Sequence, residues 1–376
     1  MTDRRRFAVY PTSAIAQAVF LMFLARLGSL HALEQERRGA SWTRWILSPL
    51  ASADTIGRVF SLIRTEDLRD FSRGLYARYK RNKVLGRTFG LNALVLDGHE
   101  SSTSFRRRCP GCLQRWLSDG RRQYYHRFVL AILPGKHFPY LLDLEPQRPG
   151  ENEVGCALRL LSRVLKSYPR AFDLVLGDGL YLEAPFVSFL REHRKEAILV
   201  LKDERRDLLK DALGIFGGEE PQVQTEGPLT RRIWDVDGLT SWPALRASVR
   251  VIRSVESRSR RRQIDGRIET QTSEWVWMTT LSPDRASADK IVGLGHRRWE
   301  IENRAFLELV EYWHADHVYR HHPRAIEAFW LMVLLTLNLF RAFLNLNIQP
   351  VFRRRHTQLF FAQKIAAQFH LDLFPP

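Results

Sequence analysis

Asp97, Asp178 and Glu302 stand in surroundings that suit chemistry. Asp97 ends the apolar run "ALVLD" and Asp178 ends "LVLGD". Both runs read as short buried strands. A carboxylate at the C-terminal end of such a strand lies at the sheet edge, where open α/β sheets place ligands. Each Asp precedes a glycine, which permits a close backbone approach or a sharp turn; Asp-Gly is also a common turn pair. Glu302 falls among Trp299, Ile301, Ala305, Phe306, Leu309, Val310 and Trp313, the apolar residues of a helix expected from about Arg297 to His314. A carboxylate on an apolar face must be paired, protonated or bound to metal. Arg298, one turn earlier, offers the pairing alternative. Three hard oxygen donors suit magnesium. Two such ions stabilise the attacking and leaving oxygens of an in-line phosphoryl displacement.

A softer donor set lies close to Asp97. Cys109 and Cys112 form a C-x-x-C pair, with His99 before them and His126 after. Zinc takes four ligands, commonly Cys and His, so His99, Cys109, Cys112 and His126 make a candidate structural zinc site. It would staple the polar loop from Glu100 to Arg122. Unliganded thiols are the alternative, and a redox pair is a third reading. Glu100 has no assigned role.

The chain of 376 residues carries a net charge of +17 and a pI near 10.3. A folded protein this basic meets nucleic acid more often than an anionic membrane. The polyanion and the carboxylates fit one another: a phosphodiester substrate and the donors that process it. Basic clusters occur at Arg4–Arg6, Arg106–Arg108, Arg258–Arg262 and Arg353–Arg355. Three cysteines make no disulfide framework, which implies a reducing compartment, the cytoplasm. "AIAQAVFLMFLARLG" looks a little like a signal peptide, but Pro11, Gln17 and Arg26 interrupt it. "AFWLMVLLTLNLF" is shorter than the ~18 residues of a spanning helix and reads as a buried core helix.

The elements that must position these residues follow from periodicity. Residues 1–88 read as a helical region, either a DNA-binding piece or a layer packed on the main domain. Residues 89–202 alternate three hairpin-ordered strands with helix, strand, helix, strand, giving a mixed α/β sheet. Residues 203–284 read as a β-rich insertion, with "SVRVIRSV" and "EWVWMTTL" as exposed antiparallel strands. Residues 285–350 turn helical and carry Glu302, and 351–376 form a basic tail or helix.

This order of strand-Asp, strand-Asp, β-rich insertion and helix-Glu resembles the DDE transposases of bacterial insertion sequences, over about Leu91 to Asn347. "LVLGDGLY" is similar to their second-Asp motif and "RRWEIEN" to their Glu motif. The subgroup with the insertion carries a signature of Tyr, two residues, Arg, three residues, Glu, six residues, Lys. Only Arg298 and Glu302 match it; Gly295 stands at the Tyr position and Leu309 at the Lys position. The resemblance implies a ribonuclease H-like α/β core. Asp97, Asp178 and Glu302 would hold two Mg2+ ions, with Mn2+ as a substitute. It further implies cleavage at transposon ends, strand transfer into target DNA, and a homodimer on paired terminal inverted repeats, with no membrane partner. Lys202 and Arg298 would contact phosphates. Trp234 and Trp242, in the insertion, would stack on an unpaired base or simply pack. A metal-dependent nuclease or resolvase without strand transfer, and a non-catalytic DNA-binding protein, are the alternatives.

Overall fold

Five helices precede the first strand: α1 (Thr12–Leu24), α2 (Leu30–Gln35), α3 (Ala40–Ile46), α4 (Ala53–Leu62) and α5 (Thr65–Arg81). The computed structural model describes residues 2–369 apart from 4, 6, 7, 39, 88, 262, 263, 265 and 266; the side chains of 38, 40, 41 and 300–304 also lie outside the described residues. Arg4, Arg6 and Arg262 of the basic clusters are therefore outside that range. Two of these helices, α2 and α4, start where a serine side chain caps them. Ser29 Oγ accepts from Ala32 N, and Ser52 Oγ accepts from Thr55 N, satisfying amides that have no partner within the helix.

The strands and later helices follow as β1 (Ala93–Ser104), β2 (Leu113–Trp116), β3 (Arg122–Leu133), β4 (Tyr140–Pro146), α6 (Glu153–Ser167), β5 (Leu174–Gly177), α7 (Ala184–Glu192), β6 (Glu196–Val200), α8 (Asp207–Phe216), β7 (Gln222–Glu226), β8 (Leu229–Leu239), β9 (Val249–Arg261), β10 (Ile268–Thr279), α9 (Ala288–Leu307), α10 (Pro323–Asn347), α11 (Pro350–Arg355) and α12 (Gln358–Gln368). The ten strands form one mixed sheet in the order β2-β3-β1-β5-β6-β10-β9-β8-β7, with β4 on β3. β1, β5 and β6 are mutually parallel, and β3 and β4 are antiparallel. This is the mixed, helix-flanked sheet expected of a ribonuclease H-like core.

The chain divides into two units, neither continuous in sequence. One comprises residues 1–86, 98–168 and 303–376. The N-terminal helices belong to it, as a layer on the core helix α10. Phe60 of α4 stacks on Phe329 of α10 at 4.2 Å. α10 is 25 residues long and apolar enough to cross a membrane, yet 78% of its most apolar window is buried inside the protein. Its polar residues explain the placement. Asn338 Nδ2 donates to the Leu141 carbonyl at 2.7 Å, and its Oδ1 accepts from Leu141 N at 3.0 Å. The side chain thus completes hydrogen bonds that β4 would otherwise leave open.

The second unit comprises residues 87–97 and 169–302. The stretch 203–284 carries β7 to β10, and β10 pairs antiparallel with β6, so its strands extend the main sheet. It also contains α8, a helix hidden by the charged "KDERRD" that leads into it. β9 and β10 form a long antiparallel pair from Arg250–Thr279 out to Arg261–Ile268. Its near half is buried, and its far half is exposed, with Arg258, Arg260 and Arg261 on the surface.

Candidate active site

Asp97 does not end its strand. β1 continues to Ser104 through seven polar or small residues, all but one half-buried. That segment has no apolar alternation, so its strand character comes from pairing and not from pattern. What ends near Asp97 is the parallel pairing with β5. The register runs Ala93↔Leu174, Leu94↔Val175, Val95↔Leu176. Two residues further along each chain, Asp97 comes level with Asp178. Asp178 keeps extended backbone angles, φ −74° and ψ 172°. Neighbouring strands lie about 4.8 Å apart, and level residues on parallel strands project to the same side. The register is held at its other end as well. Asn92 N and Nδ2 both donate to Asp173 Oδ2, at 3.0 and 2.9 Å, and Asp173 N donates to the Asn92 carbonyl at 2.7 Å.

The glycines around these aspartates are there for packing. A Cβ on Gly98 would collide with the Glu153 carboxylate. On Gly177 it would lie 2.8 Å from the Tyr181 ring and 2.9 Å from Leu199; on Gly179 it would lie 3.1 Å from the Val200 carbonyl oxygen. None of the three has a positive φ. At Asp97-Gly98 the close approach is realised, whereas Asp178-Gly179 combines close approach with a 3-10 turn, in which Tyr181 N donates to the Asp178 carbonyl at 3.0 Å.

α9 lies over β10 by a similar device. Gly295 presses against the indole of Trp277, so closely that no side chain fits there. His296 Nε2 sits 2.6 Å from Glu256 Oε1 on β9, and its ring meets Trp275 and Trp277 edge-on. This contact sets the helix rotation and revises its expected apolar face. Trp299 is turned outward, 50% exposed, while Arg298 is buried at 6%. Leu294, Arg298, Ala305 and Leu309 form the buried stripe, and the backbone of Glu302 falls on that stripe. The Glu302 side chain itself lies outside the described residues. After Leu307 the helix widens into a π-turn, Glu308–Tyr312.

The expected phosphate contacts separate. Lys202 is exposed, two residues beyond β6. Arg298 is 6% exposed, and a guanidinium so buried calls for a polar partner. Trp234 on β8 is half-buried. Its Nε1 donates to the Glu219 carbonyl at 3.0 Å, and the Arg253 guanidinium covers its ring at 4.8 Å. Trp242 is half-buried before a short 3-10 turn. Sequence reasoning missed Trp299, whose ring lies 6.5 Å from that of Trp275. Its place in an apparently apolar run concealed it.

The cysteine pair gathers a different fourth partner from the one expected. Cys109, Cys112, His126 and His321 bring their donor atoms within 4.8 Å of one another. His99 is elsewhere: its Nε2 lies 2.9 Å from Asp316 Oδ1, and its ring stacks on Phe306 at 4.9 Å. His99 lies within strand β1, which directs it to that carboxylate, whereas the segment before α10 brings His321 to the thiols. Burial pushes the His126 imidazole down to about 4 and the Cys109 thiol up to about 12. Glu100, unassigned from sequence, forms a bidentate pair with Arg115 at 2.7 and 2.8 Å.

The sequence pattern of a protein family described as "Transposase DDE domain" matches residues 89–339. No curated protein matches the chain. Among solved structures, the NurA nuclease from Sulfolobus solfataricus pairs with it at 12% identity and a TM-score of 0.27, over 66% of this chain and 98% of that one. At that score the likeness carries no argument.

Proposed function

The chain belongs to the Transposase DDE domain family, a family of DNA-cleaving enzymes, and on that footing we propose that it is a transposase acting through Asp97, Asp178 and Glu302. The observation that supports this reading is the parallel register of β1 on β5 up to Val95↔Leu176, with Asp97 and Asp178 each two residues further along. Both are half-buried, so their oxygens are partly dehydrated yet reachable. A donor set made only of carboxylates fits a hard cation, Mg2+ or Mn2+, and not a soft one. When bound, such ions neutralise charge on the entering and departing oxygens of a phosphodiester.

The protein's own contribution is to hold the carboxylates in place. The Asn92–Asp173 clamp fixes the strand register, and the Gly295–Trp277 contact fixes α9 against the sheet, with Glu302 about two turns (~10 Å) further along the helix. Arg298, buried one turn from Glu302, balances carboxylate charge. Lys202 binds a phosphate at the same sheet edge, and Trp234 stacks on a base beside the cut. In the reaction, water attacks phosphorus at the element's end and frees a 3′-hydroxyl. That hydroxyl then attacks a target phosphodiester, joining the two DNAs and releasing a target 3′-oxygen. Terminal inverted repeats as substrate, a homodimer on paired ends and a cytoplasmic, nucleoid-associated location belong to the same proposal.

The test uses the full chain, Mg2+, and DNA carrying the element's own ends. Cleaved and joined products are expected from the wild type. Loss of one carboxylate removes several kcal/mol of charge stabilisation, so Asp97→Ala, Asp178→Ala and Glu302→Ala should each slow cleavage by at least about 100-fold. Undiminished cleavage by any of the three variants would sink the assignment. Cleaved but never joined DNA would instead make the protein a nuclease.

A further inference from the structure

The four soft donors outside the carboxylate site are arranged as a metal centre. Cys109 Sγ lies 3.5 Å from Cys112 Sγ, and each sulfur lies 3.4 Å from His126 Nε2. His321 Nε2 lies 3.6 Å from Cys112 Sγ. Tetrahedral zinc, with bonds of about 2.3 Å to sulfur and 2.0–2.1 Å to nitrogen, spaces its ligand atoms roughly 3.3–3.8 Å apart. A disulfide would need sulfurs about 2.05 Å apart, so the cysteines are not oxidised to one another. From these distances we infer that Cys109, Cys112, His126 and His321 form a structural Zn2+ site, independent of the carboxylate centre and of the reaction proposed for it.

Three further features point the same way. Cys109-Pro-Gly-Cys112 closes a tight turn, with Cys112 N donating to the Cys109 carbonyl at 3.0 Å and Cys109 N donating to Cys112 Sγ at 3.1 Å. An amide aimed at sulfur stabilises a thiolate, the form that binds metal. Gly111 packs closely at the turn: a Cβ there would meet the Pro323 ring, at the start of α10, at 3.0 Å. Two thiolates and two neutral imidazoles leave a Zn2+ complex with no net charge, which suits a partly buried site. His126 is 6% exposed, and no other basic or acidic side chain among the described residues joins the donor group.

The ligands come from three separate stretches: the loop before β2, strand β3, and the segment leading into α10. A bound ion therefore ties β3 and the start of α10 to the loop that carries Arg106, Arg107 and Arg108, all exposed. It also anchors the base of the β2–β3 hairpin. At the tip of that hairpin Trp116, 66% exposed, lies under Arg122 at 4.7 Å, and Phe105 lies under Arg121 at 4.4 Å.

The experiment measures metal on the intact purified chain by elemental analysis, and coordination by exchange with Co2+, whose tetrahedral thiolate complexes absorb strongly in visible light. Wild type should carry zinc at one equivalent, and the Co2+ form should show the tetrahedral spectrum. Cys112→Ser and His321→Ala should lose the metal, and His99→Ala should keep it. Removing zinc from wild type with a chelator should lower the melting temperature, and returning Zn2+ should restore it. That measurement decides the matter even if a variant fails to fold. A wild type purified with added zinc that holds none would overturn the inference. Full occupancy in His321→Ala, or a spectrum without the tetrahedral bands, would overturn it equally.

Discussion

A methyl group added at Gly295 would fall inside the indole of Trp277, and Trp277 is itself almost wholly buried. In an exposed helix, Gly→Ala gains about 1 kcal/mol from propensity. Here the overpacking penalty of roughly 1–3 kcal/mol acts against that gain. Gly295→Ala should therefore lower or leave unimproved the denaturant midpoint, and Gly295→Tyr should lower it further; a clear stabilisation by alanine would contradict the contact. The same crowding accounts for the departure from the family signature, since a tyrosine cannot occupy this site. Trp299, one turn on and exposed, is the aromatic that this surface offers instead. The sequence placed Trp299 inward because hydrophobicity alone marks a face, and it left Arg298 open between pairing with Glu302 and contacting phosphate. One glycine contact was enough to rotate the helix away from that reading.

Elements are joined by buried polar groups as much as by apolar packing. Arg69 of α5 donates from Nε to Asp143 Oδ1 of β4 at 3.1 Å, and from Nη2 to Glu327 of α10 at 2.6 Å. Asp143 also accepts from Arg163 of α6 at 2.8 Å. Burial lowers the Arg69 pKa, but Asp143 and Glu327 outweigh it and the net shift is upward. Arg69→Ala takes this partner from Glu327 and leaves Asp143 to Arg163 alone, and should cost up to about 3–5 kcal/mol in chemical denaturation. Asn338→Leu leaves the Leu141 amide and carbonyl unpaired, which should cost about 1–3 kcal/mol for each group.

The joint between α9 and the extended sheet carries a titratable pair, Glu256 and His296. Burial pushes the Glu256 carboxyl up. Hydrogen bonds from His296 and Ser254, and the charges of His296 and Arg231, outweigh that and hold it below the ordinary glutamate range. Its contribution is complete above the unfolded-state pKa and is lost as pH falls through the lowered folded value. Melting temperatures followed from about pH 7 to pH 3 should fall at the acid end, and Glu256→Gln should flatten that fall while lowering stability at neutral pH. Identical profiles for the two proteins would remove Glu256 as the cause.

Over the whole molecule, a charge of +17 predicts salt-sensitive DNA binding. With about 6–10 phosphate contacts, affinity should drop roughly 10³- to 10⁵-fold between about 50 and 200 mM salt. Replacing Arg258, Arg260 and Arg261 with alanine should reduce the slope of log affinity against log salt by about one per lost contact. An unchanged slope would exclude the β9–β10 arm from the interface. Charge and composition were legible in the sequence because they need no folding. So were the aspartates at apolar strands and the order of strand-Asp, strand-Asp and helix-Glu, because buried strands and amphipathic helices write their periods locally. Three matters were decided only by tertiary structure. One is the register that sets Asp97 level with Asp178, since strand pairing joins distant segments. Another is the rotation of α9, fixed by Gly295 on Trp277. The last is His321 in place of His99 beside the cysteines, 209 residues from Cys112. Spacing along a chain nominates the nearest suitable side chain, whereas packing chooses the one that arrives.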